Sequence, residues 1–244
     1  MDVGGKSGAL AGWLLAPVTG TLSLLRRARM FHPEGAVYSG RVEALAGPYP
    51  GLARRLEGAA LVRLSTAWWR GGKEWIDALG IAVRLGREPS VEAHEGEQDL
   101  LFATIRSPWT TLLAPLTTEQ HDFLANDYYA VSPFDVAGVG RTKLRLVSSR
   151  PRRLRGSDRH ARLAEAVERG EAWFRFELSV ENRWVQVARI ILVEEAAVDQ
   201  ARLRFSPFRD GKGLSPRGFV HGLRRATYLL SQAARPSQDR PPLA

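Results

Sequence analysis

Cysteine is absent from the chain, and with it every disulfide, thiolate-held iron centre, iron–sulfur cluster and cysteine zinc site. Histidine, carboxylates and tyrosine are left as the metal-binding side chains. Lysine is scarce too: Lys6, Lys73, Lys143 and Lys212 are the only four, so the other 31 of 35 basic residues are arginine. Arginine's rigid fork suits fixed, bidentate clamps on carboxylates. A clean apolar run of membrane-spanning quality is also missing. Residues 7–25 carry no charge and end at Arg26 and Arg27, but Gly8, Gly12, Pro17, Thr19, Gly20 and Thr21 break their surface. They read as two short packed or membrane-surface segments, and no small-x-small cleavage site follows them. The expected location is cytoplasmic, with peripheral membrane contact through residues 7–25 as the one route to a bilayer.

What is present fits one sizeable core. At 244 residues, 44% apolar and 25% charged, the chain is globular in composition, neither disordered nor a polytopic membrane protein. A net charge of +9 admits an anionic partner. Strands are expected at 35–43, 59–65, 76–85 and 98–106, with Ser39, Arg41 and Glu43 alternating onto a polar face. Helix starts are expected at Ser107-Pro108 and at Thr117-Thr118-Glu119. A second strand group covers 143–148, 172–180 and 184–193, with Glu181-Asn182 as a tight hairpin turn. Residues 150–156 read as a basic loop and 158–168 as a short polar helix. A last helix is expected from Ser215 as cap and Pro216 in the first turn to about Ala234. The pattern gives an α+β fold, an antiparallel barrel packed by helices, although a sandwich or an open sheet would produce the same order of elements.

The chemistry concentrates near the two ends. Arg224 and Tyr228 stand four apart on the last helix and so share a face. A phenol titrates near ~10 and binds metal at neutral pH only when its phenolate is favoured, as by a neighbouring guanidinium and a ferric ion. Alone, the pair reads first as a packed tyrosine and a solvated arginine, since such i,i+4 pairs are common on helices. His221, one turn earlier, is the rival ligand.

Three stretches change that balance. Arg224-Arg225-Ala226-Thr227-Tyr228-Leu229-Leu230-Ser231-Gln232 resembles the haem-ligand signature of catalases, with Arg235 where they place a further haem-side arginine. Arg29-Met30-Phe31-His32-Pro33-Glu34-Gly35-Ala36 resembles the segment around the catalase distal histidine. Leu61-Val62-Arg63-Leu64-Ser65-Thr66, then Asp77-Ala78-Leu79-Gly80-Ile81-Ala82-Val83-Arg84-Leu85 and Gln98-Asp99-Leu100-Leu101, are similar in order and spacing to three catalase blocks. Ala226 and Leu230 depart from the ligand signature, which carries phenylalanine and aspartate there.

The resemblance implies a catalase-like barrel with a C-terminal haem-ligand helix and haem b as cofactor. Residues 29–235 would form the haem-binding domain, 1–28 a helical arm and 236–244 a disordered tail, a catalase core without the C-terminal region. It implies Tyr228 as axial iron ligand, Arg224 setting the phenolate's charge, and Arg29, Arg63 and Arg235 as propionate clamps. His32 would be the acid–base group, oriented by Ser65. Where catalases carry a distal asparagine, Ala103 stands here with Thr104 beside it. Losing one placed donor costs on the order of 10²-fold in rate, so weak hydrogen peroxide dismutation is expected, in a site more open to organic molecules.

The implied function is a haem-dependent oxidoreductase, using hydrogen peroxide or an organic hydroperoxide with a small organic substrate, in a homo-oligomer. The alternative is a barrel that carries haem or a lipid-like ligand without turnover. No specific nucleic-acid partner is expected, because the arginines of 150–155, with Arg159 and Arg162, lack interleaved aromatics. His94-Glu95-Gly96-Glu97-Gln98 lacks the second histidine of a zinc-protease helix.

Overall fold

The computed structural model describes residues 35–67, 73–86, 92–106, 114–130, 132–200 and 202–217. Alternation of apolar and polar side chains makes the first strands. In β1 (Gly35–Ala44) Ala36, Tyr38 and Val42 are buried in the main core, while Ser39, Arg41 and Glu43 line the opposite face. Pro50 opens a short helix, α1 (Pro50–Leu56), which buries Leu52, Ala53 and Leu56. The strands β2 (Gly58–Thr66), β3 (Leu79–Gly86) and β4 (Gln98–Ala103) follow as antiparallel neighbours. After a single-turn helix α2 (Ala114–Thr117) come β5 (Asp127–Ala130), β6 (Phe134–Val136), β7 (Gly140–Thr142) and β8 (Leu144–Ser148). The chain then forms α3 (Arg159–Glu168), β9 (Trp173–Val180), β10 (Arg183–Glu195) and β11 (Leu214–Pro216).

Eight of these strands close a barrel in the order β1-β10-β9-β8-β5-β4-β3-β2, and β11-β6-β7 form a small separate sheet. Closure removes the edges that an open sheet would expose. Inside, Val62, Val83, Leu100, Leu146, Phe174, Phe176 and Leu178 fill the core. Tyr128 is buried among them and donates its hydroxyl to the Phe123 carbonyl at 2.7 Å. Burial pushes its phenol well above the ordinary value. A β-bulge in β1 brings the Ile191 carbonyl against Gly40, where a Cβ would sit 2.6 Å from that oxygen, so only glycine fits.

The strand and hairpin expectations hold in the main. Glu181 and Asn182 both take positive φ, 48° and 60°, as a two-residue turn between twisted strands requires. The polar helix also forms: Asp158 caps α3 by accepting from the His160 and Ala161 N–H groups at 2.9 Å.

Three boundaries need correction. The third strand begins at Leu79, because Asp77 is buried and turns its carboxylate to the Ala78 N–H at 2.7 Å. Thr117-Thr118 ends a helical turn, since the Thr118 hydroxyl donates back to the Ala114 carbonyl at 2.7 Å. Ser215 and Pro216 are not a helix cap; they lie in β11, paired with Asp135 and Phe134. An edge strand tolerates proline's missing N–H, and the Ser215 hydroxyl donates to Asp210 at 3.0 Å. The expected arm 1–28, the ligand helix from 218 onward and the tail 236–244 lie outside the described residues. Among the described residues no helix is long and apolar enough to cross a membrane.

Candidate functional site

Arg63 and Ser65 sit two residues apart on β2, on the face turned away from Val62 and Leu64, which enter the main core. Register extends that outer face across four strands. Gly35, Ser65, Gly80 and Ala103 form one cross-strand row, and Val37, Arg63, Ala82 and Leu101 form the next. Four strands at about 4.8 Å spacing span roughly 14 Å. Over that width the first row carries no side chain larger than a serine.

The following row, Ser39, Leu61, Arg84 and Asp99, is covered. Arg84 is 1% exposed and donates to Asp99 at 2.9 Å and to the Arg204 carbonyl. Asp99 also accepts from Arg209 at 3.0 Å and from the Ser206 N–H at 2.8 Å. The 202–212 stretch is thereby fastened over β3 and β4, and Val37 and Leu61 pack with Leu203 beneath it. Part of the catalase-like sequence block, Arg84 and Asp99, is therefore a buried ion cluster that fixes one end of the flat face.

Gly35 has a stereochemical reason for being glycine. A Cβ there would lie 2.7 Å from the Leu64 carbonyl oxygen and 3.0 Å from Arg63 Cζ. The guanidinium can lie across the start of β1 only because that methyl is missing. Burial lowers the Arg63 pKa from its usual value, and a carboxylate beside it would favour the charged form. Ser65 is 5% exposed. Ala103 lies in the same row as Ser65, separated from it by Gly80. Thr104, its neighbour, is structural: its hydroxyl accepts from the Leu79 N–H at 3.2 Å and shares a hydrogen bond with the Thr118 hydroxyl at 2.8 Å.

Of the seven expected site residues, the described structure thus brings together Arg63 and Ser65. Arg29, His32, Arg224, Tyr228 and Arg235, and the rival ligand His221, lie outside the described residues. Among the described residues no group of three or more His, Asp or Glu side chains could hold a metal ion. A haem does not need one, since its porphyrin supplies the equatorial ligands and a single protein side chain can complete the site. The small-residue row, with Arg63 in the row beside it and the step formed by the covered third row, fits one face of a flat macrocycle bearing carboxylates.

Two constellations were not legible in the sequence. Glu74, in the segment before β3, accepts the first N–H of α3 (Arg159) and contacts His121 Nδ1 at 2.7 Å and Arg162 at 3.4 Å. Burial opposes its ionisation, but the His121 hydrogen bond, the Arg159 N–H and the charges of Arg162 and Arg159 outweigh it and hold the carboxyl below its ordinary range. Arg159, read from sequence as part of a surface charge run, is instead 1% exposed and donates to the Lys73 carbonyl. Its place in the first turn of α3, behind the Asp158 cap, was the available signal.

The second constellation covers the barrel wall across β5, β8, β9 and β10. Tyr129 packs edge-on against Trp184 at 6.3 Å, and Arg145 lies over the Trp184 ring at 4.2 Å. Glu177, 4% exposed, accepts from Arg145 at 2.6 Å and from Arg175 at 2.5 Å. Arg189 lies 4.8 Å over Trp173. Strand alternation assigns these residues to the outside, but their partners come from different strands.

No family profile matches the sequence, and no curated protein matches it. Among solved structures the fold is similar to that of a fungal catalase, at 13% identity and a TM-score of 0.56, over 89% of this chain and 62% of that one. The chain therefore spans under two thirds of the catalase's length, and at this identity the likeness is one of fold: a catalase-like antiparallel β-barrel.

Proposed function

We propose that the chain is a haem b-dependent oxidoreductase that uses hydrogen peroxide or an organic hydroperoxide, with weak catalase activity, in the cytoplasm and as a homo-oligomer. The observation that carries the reading is the small-residue row Gly35, Ser65, Gly80 and Ala103 on the outer face of β1–β4, with Ser65 in it and Arg63 in the row beside it, the residues the catalase-like sequence blocks assign to the haem side. The barrel's likeness to a catalase supports it. Haem, when bound, supplies a redox-active iron that takes up the oxidising equivalents of a peroxide. Tyr228 would hold that iron, its phenolate favoured by Arg224 one helical turn away. Arg29, Arg63 and Arg235 would clamp the propionates as bidentate donors. The His32 imidazole would take the proton from one peroxide oxygen and return it to the other, with Ser65 fixing the ring. At Ala103 no side-chain donor steers a small peroxide, which favours slower dismutation and leaves room for an organic molecule.

The test is an absorption spectrum of the full chain expressed with added haem precursor, beside Tyr228→Phe. An intense Soret band that shifts or weakens in the variant is the expected result. A parent without a Soret band, or a variant with an unaltered one, rejects the ligand assignment. If haem binds but mixing with peroxide gives only bleaching and no turnover, the non-catalytic carrier is the correct description.

A further inference from the structure

The row through Gly35, Ser65, Gly80 and Ala103 continues onto β5 at Tyr129, the register partner of Ala103. Opposed residues on one face of an antiparallel pair stand about 4.5–5.5 Å apart at Cβ. A ring at Tyr129 could therefore lean over the Ala103 methyl. It is held in the other direction: its edge-on partner Trp184 belongs to β10, which lies beyond β8 and β9, whereas Ala103 belongs to β4 on the opposite side of β5. Ala103, part-exposed, thus presents a methyl floor beside an aromatic wall.

The charge beside it is cationic. Arg106, three residues past Ala103, is exposed, lies 5.9 Å from the centre of the Tyr129 ring, and pairs with no carboxylate among the described residues. Arg145, the other guanidinium on this aromatic pair, is engaged by Glu177. A ligand suited to the position has a planar apolar body to lie against Tyr129 and one negative group to meet Arg106. Neutral or purely aliphatic molecules satisfy only half of it.

We propose that the outer face over Ala103, between Tyr129 and Arg106, is a binding subsite for a planar aromatic carboxylate. Its use as the seat of the organic substrate rests on the haem reading above, but the binding itself does not. Ala103 is the β4 end of the small-residue row, so a molecule held there would stand at the margin of the site assigned to the macrocycle, where catalases carry an asparagine.

The test is isothermal titration of the haem-free full chain with 2-naphthoate, 2-naphthamide and cyclohexanecarboxylate. Saturable binding of 2-naphthoate is expected, with the other two compounds weaker. Arg106→Gln should weaken it about tenfold, the worth of one charged hydrogen bond, and Arg106→Lys should restore part of the loss. Ala103→Leu, which fills the floor, should weaken it by at least about the same factor while the melting temperature shows the fold intact. Failure of 2-naphthoate to bind, or equal affinity in the parent, Arg106→Gln and Ala103→Leu, overturns the proposal. A missing Soret band in a parent whose naphthoate binding still follows these variants removes the haem reading and leaves the subsite standing.

Discussion

The barrel has two unlike outer walls around one kind of interior. On β1–β4 one outward row, Gly35, Ser65, Gly80 and Ala103, is flat, and the next sets Arg63 and Ala82 between Val37 and Leu101. On β5 and β8–β10 they are Tyr129, Arg145, Arg175, Glu177, Trp184 and Arg189, which lie over one another and hold the wall shut. The inward sets are alike on both sides, Val62, Val83 and Leu100 facing Leu146, Phe174 and Phe176. Under the proposed function the flat row is the seat of the macrocycle. The bulky wall stabilises itself.

The sharpest way to break this contrast is to make the flat wall bulky. Ala82→Phe puts a ring on the outer face beside Arg63, where an aromatic suits the strand. Haem uptake, read as the Soret band after reconstitution, should be lost while circular dichroism is unchanged. A variant that binds haem like the parent would mean that the flat wall is not the seat of the macrocycle.

A second comparison sets the walls' buried carboxylates against each other. Asp99→Ala takes from the Arg84 guanidinium, 1% exposed, its closest carboxylate, leaving Glu97 at 3.8 Å and the Arg204 carbonyl, and should cost about 3 kcal/mol in denaturant unfolding. Glu177→Ala removes an equally buried carboxylate, but Arg145 and Arg175 are 20% and 38% exposed and can turn to water. Its cost should be smaller, about 1–2 kcal/mol. Equal losses would show that the cation's exposure does not set the penalty.

The smallest effect is expected at Glu74, which joins the segment entering β3 to α3. Its carboxyl is held below the ordinary range in the folded chain, so it stabilises the fold above the unfolded carboxylate value of ~4.3. That contribution is lost as pH falls through the lower folded value. Glu74→Gln should therefore melt roughly 2–4 °C below the parent at pH 7, and the gap should close in strong acid. A gap that is the same at both pH values would assign the effect to shape rather than charge.

Much of the barrel could be read in advance because strand alternation is local. β1, β2, β8, β9 and β10 fall close to their expected ranges, and the Glu181-Asn182 turn lies where it should. The strand and helix ends at Asp77 and Thr118 were moved by local side-chain-to-backbone hydrogen bonds, and the larger errors by a non-local partner. Ser215-Pro216 carries a sound helix-start signal, yet Asp135 and Phe134 recruit it as a strand. Arg159 looks like one more surface charge until Lys73 and Glu74 come against it. Of the candidate site, Arg63 and Ser65 were legible as neighbours two apart on a strand. The flatness of the surface that bears them was not, because it depends on β1, β3 and β4 coming into register with β2.

By composition and pattern the chain settled its metal-binding repertoire, its arginine-borne positive charge and which side chains of each strand turn inward. Those properties need nothing beyond residue identity and a two-residue period. Closure of the strands into a barrel, the alignment of Gly35, Ser65, Gly80 and Ala103 into one row, and the burial of Arg84 and Arg159 were decided by the tertiary structure. Each needs atoms distant in sequence to be brought within a few ångströms, and a pattern confined to one strand carries no record of its neighbour's register.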